Sequence, residues 1–234
     1  MRVAGAARGG AGRGRLTVVA TPIGNLEDLS RRAERTLRDC DRVVAEDTRR
    51  TRALLRSLGI DKPLLSLPAF AEEGRVPGLL AHLEAGESLV LCTDAGTPAV
   101  SDPGSRLVAA AHAAGILVSV VPGPSAVTAA IAGGGLGGGG GFVFLGFPPR
   151  TPGRLRRALE AALALGLPVV LFEAAQRLVR TLEAAEPVLG DRPLVVAREL
   201  TKVHETFHRG TARELAAELR AQPPRGECTI VVGR

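Results

Sequence analysis

Thr21-Pro22-Ile23-Gly24-Asn25-Leu26 follows the apolar run Leu16 to Ala20, and three further turns repeat that arrangement. Ala45-Glu46-Asp47-Thr48-Arg49 closes the run that starts at Arg42. Asp94-Ala95-Gly96-Thr97-Pro98, with Ser101-Asp102-Pro103-Gly104 behind it, follows Ser88 to Thr93. Pro122-Gly123-Pro124-Ser125-Ala126 follows Leu117 to Val121. In an open α/β sheet the loops at the carboxyl ends of the strands share one edge, and ligands bind there. Glycine lets backbone approach a ligand closely, and proline fixes the loop shape. The four turns predict one small-molecule site built mostly from backbone.

Around these turns the chain alternates short apolar runs with helical periodicity. Strands are predicted at 16–20, 42–46, 64–67, 88–93 and 117–121, and helices at 28–38, 49–58, 75–85 and 103–114. That alternation indicates a mostly parallel sheet. Its strands read as near-continuous Val/Leu runs, as strands covered on both faces do. Eight of the nine residues from Gly133 to Gly141 are glycine, which predicts a flexible loop. Strands at 142–145, 168–172, 193–197 and 227–232, an extended stretch at 205–209, and helices at 152–164, 176–186 and 211–220 complete the chain. The reading is a disordered basic tail over residues 1–14, an N-terminal α/β domain over 15–122 and a C-terminal α/β domain over 123–234.

The net charge of +6 comes mostly from residues 1–15, where Arg2, Arg8, Arg13 and Arg15 stand without an acid. The body is close to neutral, so charge alone does not argue for nucleic acid. No apolar run approaches the length of a membrane span, and the Arg/Gly-rich start predicts no secretory signal. Cys40, Cys92 and Cys228 are far apart and lie in or beside apolar segments, which predicts small buried thiols in a reducing cytosol. Neither they nor His82, His112, His204 and His208 show metal-ligand spacing, so no metal is expected.

The dinucleotide fingerprint, the P-loop motif and the serine nucleophile elbow are all absent. Asp102-Pro103 reads as an N-cap followed by a first helical residue, or else Asp102 meets a ligand. Gly123 to Ala126 reads as a helix start whose free N–H groups and Ser125 hydroxyl suit a carboxylate, or as a simple capped turn. Asp94, at a strand's carboxyl end, either accepts hydrogen bonds from a ligand or stabilises its own turn. Asp47 and Thr48 suit a helix start. Arg49, Arg50 and Arg52 form a cluster that is either solvated or meets phosphate. Glu173, Arg177, Arg198, Glu199 and Lys202 all fall near strand ends, as a base and phosphate-binding cations or as an ion-pair network.

Taken together, these stretches resemble the tetrapyrrole methylase superfamily from about Leu16 to Val232. Within it they most resemble the branch that methylates ribosomal RNA of the small subunit. The resemblance rests on Thr21 to Leu26, Ala45 to Arg49, Asp94 to Pro98, Ser101 to Gly104, Pro122 to Ser125 and Ala197-Arg198-Glu199-Leu200-Thr201-Lys202, six co-linear motifs. It implies two α/β domains with S-adenosylmethionine in the cleft between them. It further implies methyl transfer to a cytidine ribose 2′-hydroxyl of small-subunit ribosomal RNA, by a cytoplasmic homodimer. On these motifs the cofactor would be held by Pro22, Gly24, Asp94, Gly96, Pro98, Ser101, Asp102, Gly123, Ser125 and Ala197. Glu46, Glu173 and Glu199 are candidates for the general base, with Lys202 steadying developing charge. Arg49, Arg50, Arg177 and Arg198 would meet RNA.

The chain also departs from the family's pattern. Leu67-Pro68-Ala69-Phe70-Ala71-Glu72-Glu73 stands where a His-rich loop ending in Asn-Glu is usual. Gln176 replaces a His, the Gly-Phe-Leu-Pro turn reads Gly146-Phe147-Pro148-Pro149, and many members continue into a further helical segment. Two other readings stay open: a methyltransferase of the same fold acting on a tetrapyrrole or other small molecule, and a catalytically weak ribosome-binding relative.

Overall fold

The computed structural model describes residues 14–137 and 139–234. The tail expected over 1–14 lies outside the described residues except for Gly14, which is buried and donates its N–H to the Leu83 carbonyl at 2.8 Å. The chain divides into two compact units. One holds the described residues up to Pro22 together with Leu26–Pro124, and the other Ile23–Asn25 together with Ser125–Arg234. The excursion of residues 23–25, absent from the sequence reading, follows from local bonding. The Asn25 N–H donates to Thr201 Oγ1 at 3.0 Å, and Gly24 lies so close to the Lys202 stem that a Cβ would collide with it.

The first unit runs β1 (Arg15–Val19), α1 (Arg31–Asp39), β2 (Arg42–Ala45), α2 (Thr48–Ser57), β3 (Leu64–Ser66), α3 (Glu72–Glu84), β4 (Ser88–Cys92), α4 (Ser105–Ala113) and β5 (Leu117–Val121). Its sheet has the order β3-β2-β4-β1-β5, and every pairing is parallel. Alternating strand residues feed two cores, which is why the strands read as unbroken apolar runs. Leu16, Val18, Val44, Leu89 and Leu91 pack with Leu79, Leu83 and Leu107 of α3 and α4. Val19, Val43, Val90 and Cys92 pack with Leu37 and Leu55 of α1 and α2. The strand order sets the carboxyl ends of β1 and β4 side by side in mid-sheet.

The second unit runs α5 (Ala126–Gly134), β6 (Val143–Phe144), α6 (Pro152–Leu163), β7 (Val169–Ala174), α7 (Ala175–Leu189), β8 (Leu194–Arg198), β9 (Thr206–Gly210), α8 (Ala212–Ala221) and β10 (Glu227–Val232). Its sheet, β6-β7-β10-β8-β9, is parallel only between β6 and β7. Leu159, Leu178, Leu182 and Leu215 of α6, α7 and α8 pack with Leu171, Val196 and Ile230 from the strands in one core.

Two sequence expectations are corrected. Gly133 and Gly134, assigned to a flexible loop, form the last turn of α5, and Gly135 ends that helix in the left-handed conformation. Their helical state has a packing cause: a Cβ on Gly133 would run into the Phe207 ring. The helix of α4 begins at Ser105, not at Pro103, because Gly104 is its N-cap and Glu72 takes the Gly104 and Arg106 N–H groups. All three cysteines are buried and free, and burial pushes the Cys40 and Cys228 thiols up to about 11. No helix among the described residues is long and apolar enough to cross a membrane.

Leu107 is fully buried while Leu165 is 64% exposed. Leu107→Ala should cost roughly 2–5 kcal/mol in urea unfolding, and Leu165→Ala under about 0.5 kcal/mol. Equal effects would contradict this placement of the core.

Candidate functional site

The turns after β1 and β4 of the first unit are joined. Thr21 and Gly96 exchange backbone hydrogen bonds at 2.8 and 3.0 Å, and the buried Thr21 hydroxyl donates to the Thr93 carbonyl at 3.1 Å. The Thr97 hydroxyl reaches the Pro124 carbonyl at 3.2 Å, tying in the turn after β5. Pro22, Gly96 and Pro98 are buried within this framework, and Gly123 packs beside Ala20.

Three carboxylates gather at this strand edge. Glu46, at the end of β2, accepts from the Thr93 hydroxyl at 3.0 Å. Asp94 accepts from the Asp47 N–H at 3.1 Å and from Arg50 at 3.0 Å, so its carboxylate holds the β2 and β4 turns together. Asp102 also meets the Thr93 hydroxyl. Burial pushes its carboxyl up to about 6; the Thr93 bond opposes that shift, and repulsion from Glu46 and Asp94 adds to it. One hydroxyl hydrogen cannot satisfy two carboxylates. The Thr93 hydroxyl therefore serves Glu46 or Asp102 but not both at once, which leaves one carboxylate of the pair open to take a proton.

The capping role read for Asp102 is corrected. Gly104 is the N-cap of α4, and the orphan N–H groups of Gly104 and Arg106 are taken by Glu72 Oε1 of α3 at 3.0 and 2.8 Å. Relieved of capping, Asp102 is left at the strand edge. The segment before it is strained, with Ala99 at φ 67° and Ser101 at φ 65°. Non-glycine residues rarely adopt this conformation, and where they do they concentrate at functional sites.

A second strained pair, Glu199 at φ 51° and Thr201 at φ 65°, lies in the second unit after β8. Lys202 Nζ contacts Glu199 at 2.8 Å and Glu227 at 2.9 Å, and the Glu227 N–H donates to Glu199 Oε1 at 2.9 Å. Burial opposes the charged forms, but these bonds outweigh it: the Glu199 carboxyl is held below its ordinary value and the Lys202 ammonium above. Nearby, Ile23, Ala126, Ala197, Leu200, Glu227 and Thr229 line a small, half-open cavity at the start of α5. Ser125 is the N-cap of α5, and its side chain makes no cap hydrogen bond.

Other predicted residues stand apart. Glu173 is 1% exposed, with its oxygens taken by the Ala174 N–H, the Thr181 hydroxyl and Arg177. Arg177, expected to meet RNA, instead turns inward onto Glu173. Arg198 clasps the Thr206 hydroxyl and the His204 and Arg225 carbonyls. Arg49 is exposed but forks onto Asp47, whose carboxyl the Arg49 side chain and N–H hold down at about 2. Thr21, Thr93, Glu72 and Glu227 were not among the predicted site residues. Thr93, a lone hydroxyl closing an apolar run beside Asp94, is the one whose position carried a signal. Among the described residues no three His, Cys, Asp or Glu side chains are arranged to hold a metal ion.

An α/β protein with a doubly wound parallel sheet and a polar, strained carboxyl edge belongs among ligand-binding α/β proteins. The model of the family described as tetrapyrrole (corrin/porphyrin) methylases matches residues 15–216. The ribosomal RNA small subunit methyltransferase I of Thermotoga maritima is 43% identical, over 94% of this chain and 98% of that protein. The protein of the same name from a Synechocystis species is 45% identical, over 94% and 79%. The solved uroporphyrin-III C-methyl transferase of Thermus thermophilus, complexed with S-adenosylhomocysteine, superposes with a TM-score of 0.68 at 21% identity, covering 94% of this chain and 98% of that one. The chain belongs to the tetrapyrrole methylase family.

The Asp102 placement predicts a pH-dependent stability. Its folded-state pKa is raised, so its contribution is fully present below the unfolded pKa of 3.8 and lost as pH rises through about 6. Asp102→Asn should therefore raise stability above pH 7, with the gain fading by pH 4. Two pKa units in full are worth ~3 kcal/mol; partial solvation reduces the gain to about 1 kcal/mol. A gain independent of pH would contradict the assignment.

Proposed function

We propose that this protein is an S-adenosylmethionine-dependent methyltransferase acting on a cytidine ribose 2′-hydroxyl of small-subunit ribosomal RNA, as a cytoplasmic homodimer. The observation that carries the reading is sequence identity of 43% and 45%, over nearly the whole chain, to proteins named for small-subunit ribosomal RNA methylation. Family membership and the S-adenosylhomocysteine bound by a protein of the same fold support the cofactor.

The residues suit that cofactor. The cavity of the second unit is walled by Ile23, Leu200 and the small side chains of Ala126 and Ala197, with Glu227 and Thr229 at its polar side, which suits a flat ring that carries hydrogen-bonding groups. The adjacent Ser125 hydroxyl is uncommitted to its own helix, so it and the α5 N–H groups are open to a carboxylate. In the first unit Gly96, Pro98, Ser101 and Gly123 present backbone at the strand edge, beside Pro22 and Asp94. Gly24 packs against the Lys202 stem, and its place beside the cofactor rests on the family motif Thr21 to Leu26.

When bound, the cofactor supplies an electrophilic sulfonium methyl group. The protein's part is to hold the ribose oxygen in line with it, since positioning alone removes much of such a barrier, and to accept the hydroxyl proton. A base works best with a pKa near the operating pH. Of the carboxylates at hand, Glu199 is held low by Lys202, and Glu173 is sealed in its own bonds. The Glu46–Thr93–Asp102 chain is favoured because Asp102 is the carboxyl raised toward neutrality. Lys202 is held between Glu199 and Glu227, and its ammonium would steady developing charge by exchanging one of these carboxylates for the reacting oxygen. Arg49 and Arg50 are exposed but paired with Asp47 and Asp94, so phosphate would bind there in competition with these carboxylates, while Arg177 and Arg198 shape the second unit from within.

The test uses labelled S-adenosylmethionine and small subunits from a strain lacking this protein. Label should enter the RNA and survive as a methylated ribose after digestion to nucleosides. Asp102→Asn should lower kcat by about 10²- to 10⁴-fold while melting no lower than the parent. Ala197→Leu should fill the cavity and weaken S-adenosylhomocysteine binding in calorimetry by more than about tenfold, equivalent to ~1.4 kcal/mol. Label in no RNA, or on a base, would overturn the reading.

A further inference from the structure

The chain has six phenylalanines and neither tryptophan nor tyrosine, and one of those six rings stands almost wholly in solvent. Phe70 is 93% exposed, against 59% for Phe147, whose ring lies tilted against Phe172 with centroids 5.6 Å apart. Such exposure forfeits the gain a phenyl ring makes on burial.

The exposed ring sits on a firm base. It occupies the short 3-10 turn Ala69–Ala71 that follows β3, at the same strand edge as Glu46 and Asp102. Leu67, just before it, is fully buried, and its N–H donates to the Ala45 carbonyl at 2.7 Å. The turn closes with the Ala71 N–H donating to the Pro68 carbonyl at 2.9 Å. Just after it, Glu72 grips the Gly104 and Arg106 N–H groups at the start of α4, and Glu73 pairs with Arg106 at 2.9 Å. Both ends of the turn are pinned and the ring between them touches little.

We infer that Phe70 is a stacking platform for an unpaired base of the RNA substrate, a role that rests on the RNA reading above. An aromatic face accepts any base, and stacking on exposed aromatic rings is a general way for proteins to hold single-stranded RNA. A protein partner fits poorly: the flanking residues are Ala69 and Ala71, so the apolar surface is one ring wide, far below what a stable protein interface buries. Of the neighbouring acids, Glu72 is turned onto the Gly104 and Arg106 N–H groups and Glu73 is paired with Arg106, so the base would stack on the ring with its phosphates held away from this side of the turn. Phe70 is a substrate-positioning residue, and its loss should act on RNA affinity rather than on chemistry.

Phe70→Ala should raise KM for small subunits roughly 5- to 100-fold, with kcat, melting temperature and S-adenosylhomocysteine affinity unchanged. Phe70→Trp should restore KM. It would also introduce the sole indole of the protein, whose emission should be quenched when a single-stranded small-subunit RNA fragment is added. If the parent methylates small subunits, Phe70→Ala keeps the parental KM and the indole emission does not change, the stacking role is overturned while the methyltransferase reading stands. If Phe70→Ala instead changes the oligomeric state, the ring is a contact between copies and the inference is likewise overturned. If the parent neither methylates nor binds small-subunit RNA, the reading fails and the stacking role falls with it.

Discussion

The buried Thr21 hydroxyl, donating to the Thr93 carbonyl, fixes the first unit's strand edge. β1 and β4 are neighbours in the sheet, and beyond their last ladder bonds the two chains would splay apart. The hydroxyl bond and the paired backbone bonds between Thr21 and Gly96 keep them together for one more step. A buried carbonyl left without a donor is costly, so this contact also holds the Thr93 backbone in place. From Thr93 the bonding runs on to Glu46 and Asp102, and from Asp94 to the start of α2.

That arrangement works against stability. A partly buried carboxyl pushed up to about 6 beside two further carboxylates is destabilising near neutral pH, and left-handed Ala99 and Ser101 add strain. The surrounding bonds hold this constellation in place: Glu72 caps α4 from another helix, releasing Asp102 from the cap its sequence position offers. Strained backbone and a raised carboxyl pKa cluster at functional sites, and here they fall in one place. The second unit repeats the pattern with strained Glu199 and Thr201, but there Lys202 compensates the charge.

Most of the fold was legible in the sequence because it rests on local signals. Apolar runs gave every strand of the parallel sheet to within a residue or two, and capping and periodicity gave most helices. The failures are non-local. Glycine composition argued for a loop at Gly133 and Gly134, yet Phe207 packs where a side chain would stand and the helix continues. Asp102-Pro103 has the look of a helix start, but a glutamate thirty residues earlier does the capping. At the site, the turns that gather the first-unit residues were readable as motifs. The pairing of Glu173 with Arg177 four residues on was readable as one arm of an ion-pair network; the Thr93 partner of Glu46 was not, because hydrogen bonding across strands leaves no mark in spacing. Phe70 was visible only as a departure from a pattern, and its exposure had to come from the structure.

The central claim is that the Thr21 clasp organises the strand edge as a cofactor site. Thr21→Val keeps the shape of the side chain and removes only the hydroxyl. Calorimetric titration with S-adenosylhomocysteine should show affinity weakened roughly 5- to 30-fold, the equivalent of about 1–2 kcal/mol for one buried hydrogen bond, in a protein that still folds cooperatively. Affinity equal to that of the parent protein, with the hydroxyl gone, would contradict the account.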